Sequence, residues 1–242
     1  GRGTRELVDR VQSQALAECV LTFALRGHQA LGARFALAQR RVVLGDEMGL
    51  GKTVQAVAVV AHLVARGATH ALVVCPASVL ENWVRELRAH ASLPVHAVHG
   101  EDREEAAAAW RAAGGVAVVT FAGLRRAGTE AFAAAAPAVL VVDEAHYVKN
   151  PLAKRSVAVA ALARTTEHVL LLTGTPMENR VEEFRTLLGY LQPELAARLD
   201  AAHGAAGPDA FRHAVAPAYL RRRAADVRAE RAGRGRGDAG GP

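Results

Sequence analysis

Short apolar runs alternate along the chain with longer segments in which apolar residues recur every three or four positions. Continuous apolar runs are typical of parallel strands buried on both faces, whereas the three-to-four spacing is typical of helices packed against them. The alternation therefore predicts an α/β fold, a doubly wound parallel sheet with helices on both faces. Strands are predicted at residues 42–44, 70–75, 95–98, 116–120, 139–142 and 168–173, and helices at residues 52–65, 78–90, 101–113, 152–163 and 181–191.

The segments on either side of this alternation predict smaller units. Apolar residues at helical spacing predict a helix from Glu6 to Leu25, and hence an N-terminal helical extension over residues 1–24. A second helical pattern opens the main lobe, residues 25–191, and residues 192–227 are predicted to form a helical extension. The Arg/Gly-rich residues 228–242 carry too little apolar surface to fold, so this C-terminal tail is predicted to be disordered.

Positive charge is concentrated towards the C-terminal end of the chain. The 242 residues carry 30 Lys and Arg against 24 Asp and Glu, a net charge of +6, and seven arginines against three acidic residues follow Tyr219. The basic character of the body therefore supports an anionic partner only weakly. No apolar run approaches the ~18 residues of a membrane span, and no signal peptide is visible. We expect an intracellular protein with no membrane partner, in the cytoplasm or nucleoid of a bacterium or the nucleus of a eukaryote.

A glycine-rich loop joins the first predicted strand of the main lobe to its helix. Residues 45–53 read G-D-E-M-G-L-G-K-T, in the strand–loop–helix context of a phosphate-binding loop. Backbone N–H groups of such a loop bind phosphate oxygens, while Lys52 would add positive charge and Thr53 a ligand for Mg²⁺. Because Asp46 stands where the general motif has its first glycine, an ordinary glycine-rich turn is the alternative interpretation.

Two other predicted strands also end in polar residues. Asp143 and Glu144 follow the most apolar strand, where one carboxylate could hold Mg²⁺ and the other could orient and deprotonate water. Thr173 and Thr175 lie on either side of a glycine after another strand. The carboxyl ends of parallel strands share one edge, so Lys52, Asp143 and Thr173 are predicted to converge. The alternatives are a solvent-facing acidic turn and a plain strand-to-turn transition.

Taken in order, these stretches resemble motifs I, II and III of the superfamily-two helicase-related ATPases, and their flanks resemble the Swi/Snf-like branch. Asp46 is typical of motif I in that branch, and Lys149-Asn150 is typical of its motif II. The resemblance covers about residues 25–230 and implies a RecA-like lobe. The matching stretches are residues 46–55 (motif I), 75–83 (motif Ia), 119–121 (motif Ib), 143–150 (motif II), 172–179 (motif III) and the Leu-Arg-Arg element at 219–222 followed by Asp226-Val227.

The resemblance also implies roles for single residues. Lys52, Asp143 and Glu144 would be catalytic, with Glu144 activating water and Thr53 and Asp143 holding Mg²⁺. The residues implied to bind ATP are Gln29 (at adenine), Asp46, Met48, Gly49, Leu50, Gly51, Lys52 and Thr53. Those implied to couple ATP state to DNA are His146, Thr173 and Thr175, and those implied to contact the DNA backbone are Ser78, Trp83 and Thr120.

Other interpretations are open for three of these positions. Gln29 could also be an ordinary exposed residue at the start of a helix. The preceding Gly27-His28 stand where the family usually has Pro-Tyr. Ser78 and Glu81 have the spacing of a capping box, which would use the Ser78 hydroxyl as a helix cap. A tryptophan such as Trp83 is more often a core residue than a DNA contact.

The resemblance implies the ATP-binding lobe of a double-stranded-DNA-dependent ATPase or translocase, with ATP and Mg²⁺ as cofactors. In the family a second RecA-like lobe supplies arginine fingers. We expect that lobe to be absent from this chain and to act in trans where it is present. A truncated, catalytically inactive nucleotide- or DNA-binding module is the alternative. An RNA helicase lobe is a further alternative, against which Asp46 and Lys149-Asn150 argue.

Overall fold

The computed structural model describes residues 2–17, 21–177, 180–199 and 207–237, and its strands form a seven-stranded sheet with parallel pairing throughout. The strands are β1 (Arg41–Leu44), β2 (His70–Cys75), β3 (Val95–Val98), β4 (Gly115–Thr120), β5 (Val139–Val142), β6 (His168–Leu172) and β7 (Tyr219–Leu220). Their order across the sheet, β3-β4-β2-β5-β6-β1-β7, places β1 between β6 and β7.

Helices cover both faces of this sheet. They are α1 (Arg2–Ser13), α2 (Gly27–Gln39), α3 (Lys52–Ala65), α4 (Ala77–His90), α5 (Arg103–Ala113), α6 (Phe121–Ala127), α7 (Glu130–Ala133), α8 (Lys154–Thr165), α9 (Val181–Leu191), α10 (Pro193–Arg198), α11 (Pro208–Val215) and α12 (Ala224–Gly237). Helices α1 to α4 contribute to the core on one face, and helices α5 to α11 to the core on the other. Among the described residues, no helix is long and apolar enough to cross a membrane.

Successive residues of each central strand belong to opposite cores. In β5, Val139 and Val141 pack with the core of α1 to α4, whereas Leu140 and Val142 pack with the core of α5 to α11. All four side chains are buried. A strand that is buried on both faces needs apolar residues at every position, which accounts for the continuous apolar runs in the sequence.

The predicted fold class is confirmed. The structure has the parallel α/β sheet with helices on both faces, and the bounds of α3, α9, β2, β3 and β5 are the predicted ones. Two predicted helices start two residues late, at Arg103 and Lys154. The sequence predictions omitted α6, α7 and a 3₁₀ helix at Ala145–Val148, because elements of four to seven residues are too short to show a helical period.

The predicted helix from Glu6 to Leu25 is wrong beyond Ser13, where α1 ends. The chain instead packs along two later helices through backbone hydrogen bonds. The Ala17 N–H donates to His62 Nδ1 at 2.9 Å, and the Thr22 N–H donates to the His90 carbonyl at 3.2 Å. Tertiary partners thus outweigh local helical spacing in this segment. Val20, one of the apolar residues whose spacing predicted this helix, lies outside the described residues.

The C-terminal segment departs from its prediction in two ways. Residues 192–227 contain the expected helices, but Tyr219 and Leu220 also extend the sheet by pairing with Val43 and Leu44. Where disorder was predicted from residue 228, the structure has helix α12 as far as Gly237, and residues 238–242 lie outside the described part. The Glu47 carboxylate accepts a hydrogen bond from the Ala224 N–H at 2.6 Å and so caps α12 from a distant part of the chain.

Candidate nucleotide site and neighbouring groove

Loops from three strands meet at the carboxyl edge of the sheet. The glycine-rich loop follows β1, Asp143 follows β5, and Thr173 follows β6, which lies between those two strands. Lys52 Nζ is so close to the β6 loop that a Cβ on Gly174 would lie 3.8 Å from it. The convergence predicted from sequence is therefore present in the structure.

The glycine-rich loop has the backbone form that an anion-binding turn requires. Gly49 and Gly51 have φ angles of 88° and 82°, a region that side chains disfavour, and Gly51 is the residue before the first turn of α3. Gly51 has no side chain that could cap α3, so the N–H groups at the start of this helix face the loop without a side-chain acceptor from Gly51. A Cβ on Gly51 would also lie 2.5 Å from Gln29 Nε2, so a side chain here would displace Gln29 in addition to straining the backbone.

Lys52 points into its own loop. Its Nζ donates to the Asp46 carbonyl at 2.6 Å. Burial lowers the pKa of the Lys52 ammonium, while Asp46, Asp143 and Glu144 oppose that shift. A carbonyl is a neutral acceptor, so a phosphate oxygen in the loop would be a stronger partner for this ammonium.

The Asp46 side chain faces away from the loop interior. Its carboxylate is fully buried. Oδ1 accepts hydrogen bonds from the Arg222 backbone N–H at 2.9 Å and from Nε at 3.1 Å, while Oδ2 accepts from Gln55 Nε2 at 3.0 Å and pairs with Arg222 Nη2. Both oxygens are thus occupied by protein donors. The interpretation of Asp46 as a nucleotide contact is wrong for its side chain, which anchors the loop instead.

The Leu-Arg-Arg element holds the loop from the other side. The Gly45 N–H donates to the Leu220 carbonyl at 2.7 Å, and the Glu47 N–H donates to the Arg222 carbonyl at 3.0 Å. Arg221 Nη1 donates to the Gly45 carbonyl at 2.7 Å, and Arg222 Nη1 donates to the His28 carbonyl. The sequence showed this element as a family feature but not its contact with the loop.

Residues of helix α2 and of the glycine-rich loop differ in burial and in the contacts of their side chains. Gln29 is half-buried, with Oε1 accepting from the Arg26 N–H at 3.0 Å and Nε2 against Gly51. His28 Nε2 lies 3.0 Å from the Leu50 carbonyl, so this histidine holds the loop where the family usually has tyrosine. The Leu50 side chain is buried, which leaves only its backbone for a ligand, whereas Met48 is 84% exposed.

The carboxylate pair follows β5 with its main chain tightly fixed. The Asp143 N–H donates to the Val74 carbonyl at 2.9 Å, and the Glu144 N–H donates to Asp143 Oδ1 at 2.8 Å. Glu144 has a φ of 50°, which is uncommon for a residue with a side chain and is found at functional sites. Asp143 Oδ2 accepts a further hydrogen bond from Trp83 Nε1 at 2.8 Å. The Asp143 carboxylate and the Glu144 main chain are therefore held in a defined geometry.

The three residues predicted to couple ATP state to DNA follow β5 and β6, which are neighbouring strands. His146 Nδ1 lies 3.3 Å from Glu144 Oε2. The Thr173 hydroxyl is buried and accepts a hydrogen bond from the Thr175 N–H at 3.2 Å, so it shapes the β6 loop internally. Thr175 is half-buried next to it. Their coupling role stays a prediction.

The oxygen donors at this edge fit Mg²⁺ bound with a nucleotide. Mg²⁺ usually takes one or two protein oxygens and completes its six ligands with water and phosphate. Thr53, in the first turn of α3, offers a hydroxyl, and Asp143 offers two carboxylate oxygens, each of which accepts a single hydrogen bond from the part of the chain that the structure describes. Thr53 and Asp143 are thus suited to hold the ion beside phosphate in the loop.

A groove of about 670 Å³ lies beside this site and is lined by residues of motifs Ia and Ib. Its lining includes Phe121 and Tyr147, whose rings stack at 5.4 Å with an angle of 2° between their planes. Arg155 also lies over the Tyr147 ring, with its Cζ 5.6 Å from the ring centre. The groove has a basic wall: its charged lining residues are Glu101, Arg103, Arg125, Arg126 and Arg155.

The three predicted DNA contacts differ in their access to this groove. Ser78 is exposed and lines it, and Thr120 lines it with a buried side chain that caps α6 by accepting from the Gly123 N–H at 2.9 Å. Trp83 is fully buried, so the prediction that it contacts DNA is wrong, and its alternative as a core residue holds. The Ser78 cap is also wrong, because α4 begins at Ala77 after Pro76 and forms no side-chain cap.

Sequence reasoning missed Arg222, Gln55, Tyr147 and the contact between Trp83 and Asp143. Arg222 and Asp46 are 176 positions apart, and no local pattern could have paired them. A charged Asp next to a buried strand was a usable signal, because a buried carboxylate requires a cationic partner somewhere in the chain.

Comparisons with known proteins agree on one family. The model of the SNF2-related domain matches residues 20–203. The chain is 33% identical over 207 residues to the Mus musculus chromodomain-helicase-DNA-binding protein 1-like, covering 81% of this chain and 23% of that protein. It is 34% identical over 189 residues to the Bacillus subtilis putative ATP-dependent helicase/translocase YwqA, covering 74% of this chain and 20% of that protein.

A solved structure shows the same likeness. The Sulfolobus solfataricus SWI2/SNF2 ATPase core in complex with dsDNA superposes with a TM-score of 0.73 at 29% identity, covering 87% of this chain and 47% of that chain. The present chain thus spans about a fifth of the length of the two relatives and about half of the solved chain.

Proposed function

Since the chain belongs to the SNF2-related domain family, we propose that it is the ATP-binding lobe of a double-stranded-DNA-dependent ATPase or translocase. In this role the lobe binds Mg·ATP and, completed by a second RecA-like lobe, hydrolyses it to ADP and phosphate while held on DNA inside the cell. One observation carries the proposal: the glycine-rich loop with Lys52, the Asp143–Glu144 pair and the β6 loop meet at one edge of the sheet.

Each side chain has a separate task in this proposal. Lys52 leaves the Asp46 carbonyl and binds phosphate oxygens, and Thr53 and Asp143 hold Mg²⁺, which neutralises charge on the phosphates. Glu144 orients the attacking water and accepts its proton. Arg222 and Asp46 keep the loop in place through their buried ion pair. Gln29, beside Gly51, contacts adenine.

The test compares the 242-residue chain alone with the chain supplied with a second RecA-like lobe of a relative. Alone, the chain is expected to bind Mg·ATP weakly, to lose that binding in Lys52→Ala, and to turn ATP over very slowly. An arginine finger from a second lobe contributes about 10³–10⁵ in rate in related NTPases. Calorimetric titration and phosphate release with double-stranded DNA measure both quantities.

Four outcomes decide between these proposals. DNA-stimulated hydrolysis that appears only with the second lobe supports the proposed enzyme. Binding of Mg·ATP without hydrolysis under either condition supports an inactive nucleotide- or DNA-binding module. Full hydrolysis by the chain alone would show that the two-lobe argument is wrong, and stimulation by double-stranded RNA rather than DNA would favour the RNA helicase reading.

We further propose that the groove binds the DNA backbone. Arg125 and Arg126 are exposed on α6, and within the described part of the chain neither forms a hydrogen bond or ion pair. Their guanidinium groups are therefore available for phosphate oxygens. Ser78 and Thr120 lie in the same groove, and the solved relative is in complex with dsDNA.

The double variant Arg125→Ala/Arg126→Ala is expected to weaken binding of duplex DNA and to reduce its salt dependence. Each lost phosphate contact lowers the slope of log affinity against log salt by about one. Fluorescence anisotropy at several salt concentrations gives that slope. The matched control is Arg88→Ala/Arg111→Ala, which removes the same charge from exposed positions outside the groove. Equal losses in the two variants would mean that only net charge matters and that the groove is not the binding site.

A further inference from the structure

The buried indole of Trp83 makes a contact that its predicted role does not explain. Trp83 is the seventh residue of α4 and packs in the core formed with α1 to α3. Its Nε1 donates to Asp143 Oδ2 at 2.8 Å, across 60 positions of sequence. A core tryptophan usually satisfies its N–H with a neutral acceptor, whereas here the acceptor is the carboxylate at the candidate metal site.

The two oxygens of Asp143 are held by different donors. The Glu144 N–H fixes Oδ1 at 2.8 Å and the Trp83 indole fixes Oδ2. The first donor belongs to the same turn and moves with it. The second comes from a rigid ring in a packed core, so among the described residues it is Trp83 that ties the carboxylate to the body of the lobe. A carboxylate held at both oxygens loses its freedom to rotate about its side-chain bonds.

We propose that Trp83 is a positioning residue that holds the Asp143 carboxylate in the orientation needed to bind Mg²⁺, an inference that rests on the proposed nucleotide site. Donors behind a metal ligand set its direction, and their removal typically lowers metal affinity by about 10–100-fold. The indole N–H is well suited to this task because it donates and cannot accept, so it never competes with Asp143 for the cation.

Trp110 provides a matched control for Trp83. It is the other tryptophan of the chain, is equally buried, and donates its Nε1 to the Gly115 carbonyl at 3.1 Å in the opposite core. Trp83→Phe and Trp110→Phe therefore remove the same buried donor, once from the metal-site carboxylate and once from a distant carbonyl. A purely structural role predicts similar effects of both changes on stability and on Mg²⁺ dependence.

In the first experiment, ATP is titrated into the full chain at a series of Mg²⁺ concentrations. Trp83→Phe is expected to raise the Mg²⁺ concentration needed for half-maximal ATP affinity by about 10–100-fold, with little change in ATP binding in the presence of EDTA. Trp110→Phe is expected to leave the Mg²⁺ requirement near that of the unsubstituted chain. The proposal is overturned if the Mg²⁺ requirement is unchanged in Trp83→Phe or rises equally in both variants.

A second experiment needs neither bound nucleotide nor a folded Trp83 variant. The two indole N–H resonances of the ¹⁵N-labelled chain are assigned with Trp110→Phe. Asp143→Asn replaces the charged acceptor by a neutral one, so the Trp83 resonance is expected to shift while that of Trp110 stays in place. An unshifted Trp83 resonance would refute the contact. If the unsubstituted chain binds no Mg·ATP, the proposed function fails, and this spectrum still decides whether Trp83 holds Asp143.

Discussion

Replacing Asp46 by alanine is expected to lower the free energy of unfolding by about 3–5 kcal/mol, because it leaves the charge of Arg222 without its buried partner. The Asp46 carboxylate is fully buried, and the Arg222 side chain is only 14% exposed. The substitution also leaves Gln55 Nε2 without its acceptor in the core. Urea denaturation of the 242-residue chain measures the change.

Glu183→Ala is the matched control for this prediction. Glu183 also pairs with basic side chains, at 3.0 Å from Lys149 Nζ and 3.2 Å from Arg180 Nη1, but it is 31% exposed. These side chains, chiefly the hydrogen bond from Lys149, hold the pKa of Glu183 below its usual range, yet exposed pairs contribute only about 0–1 kcal/mol. A loss in Asp46→Ala no larger than the loss in Glu183→Ala would contradict the anchoring role of Asp46.

The double variant Asp46→Ala/Arg222→Met separates the ion pair from its surroundings. Removing both charges leaves neither one buried alone, so the double variant is expected to be less destabilised than the sum of the two single variants. Additive losses would show that Asp46 and Arg222 stabilise the loop independently. The comparison also reports on function, because the same pair fixes the backbone of the loop that is proposed to bind phosphate.

The layout of the sheet could be predicted because it depends on local composition. Strand β5 and helix α3 are bounded by residues that end an apolar pattern within one or two positions, and their bounds follow from the sequence. The N-terminal segment could not be predicted in this way. Its apolar spacing continues past Ser13, but hydrogen bonds to His62 and His90 offer the backbone better partners than another helical turn.

The same distinction between local and long-range effects applies to the residues of the candidate site. Lys52, Asp143 and Thr173 could be placed at one edge, since all follow strands that must run parallel. The partners that orient them come from segments far away in sequence: Arg222 reaches Asp46 across 176 positions, and Trp83 reaches Asp143 across 60. Motif resemblance named Asp46 and Trp83 as contacts for ligands, whereas burial shows that both side chains serve other residues of the site.

Helix α4 also relates the groove to the nucleotide site. Ala77 and Ser78 at its start line the groove, and Trp83, five residues after Ser78, contacts Asp143. Five residues of helix span about 7.5 Å, so one rigid element carries both contacts. Phe121 and Tyr147 also line the groove and stack on each other, and Tyr147 follows Glu144 by three residues. The lining of the groove is therefore built in part on elements that also position the carboxylates.

Glu144→Gln is expected to lower DNA-stimulated ATP turnover by about 10²–10⁴-fold in the chain supplied with a second lobe. Glutamine keeps the shape of the side chain and still accepts a hydrogen bond from water, but it does not accept a proton at neutral pH. The backbone at this position is fixed by the hydrogen bond from the Glu144 N–H to Asp143 Oδ1, so the amide should occupy the place of the carboxylate. Affinity for Mg·ATP is expected to stay close to that of the unsubstituted chain.

Glu167→Gln makes the same chemical change at the opposite edge of the sheet. Glu167 precedes β6, is 61% exposed and pairs with Arg40 at 2.8 Å, so its substitution is expected to leave turnover unchanged. Phosphate release and calorimetric titration are measured for both variants. If Glu144→Gln hydrolyses ATP at the unsubstituted rate, Glu144 is not the base. If it loses Mg·ATP affinity in proportion to its turnover, Glu144 acts in binding rather than in proton transfer, because only a residue that works in the chemical step separates the two.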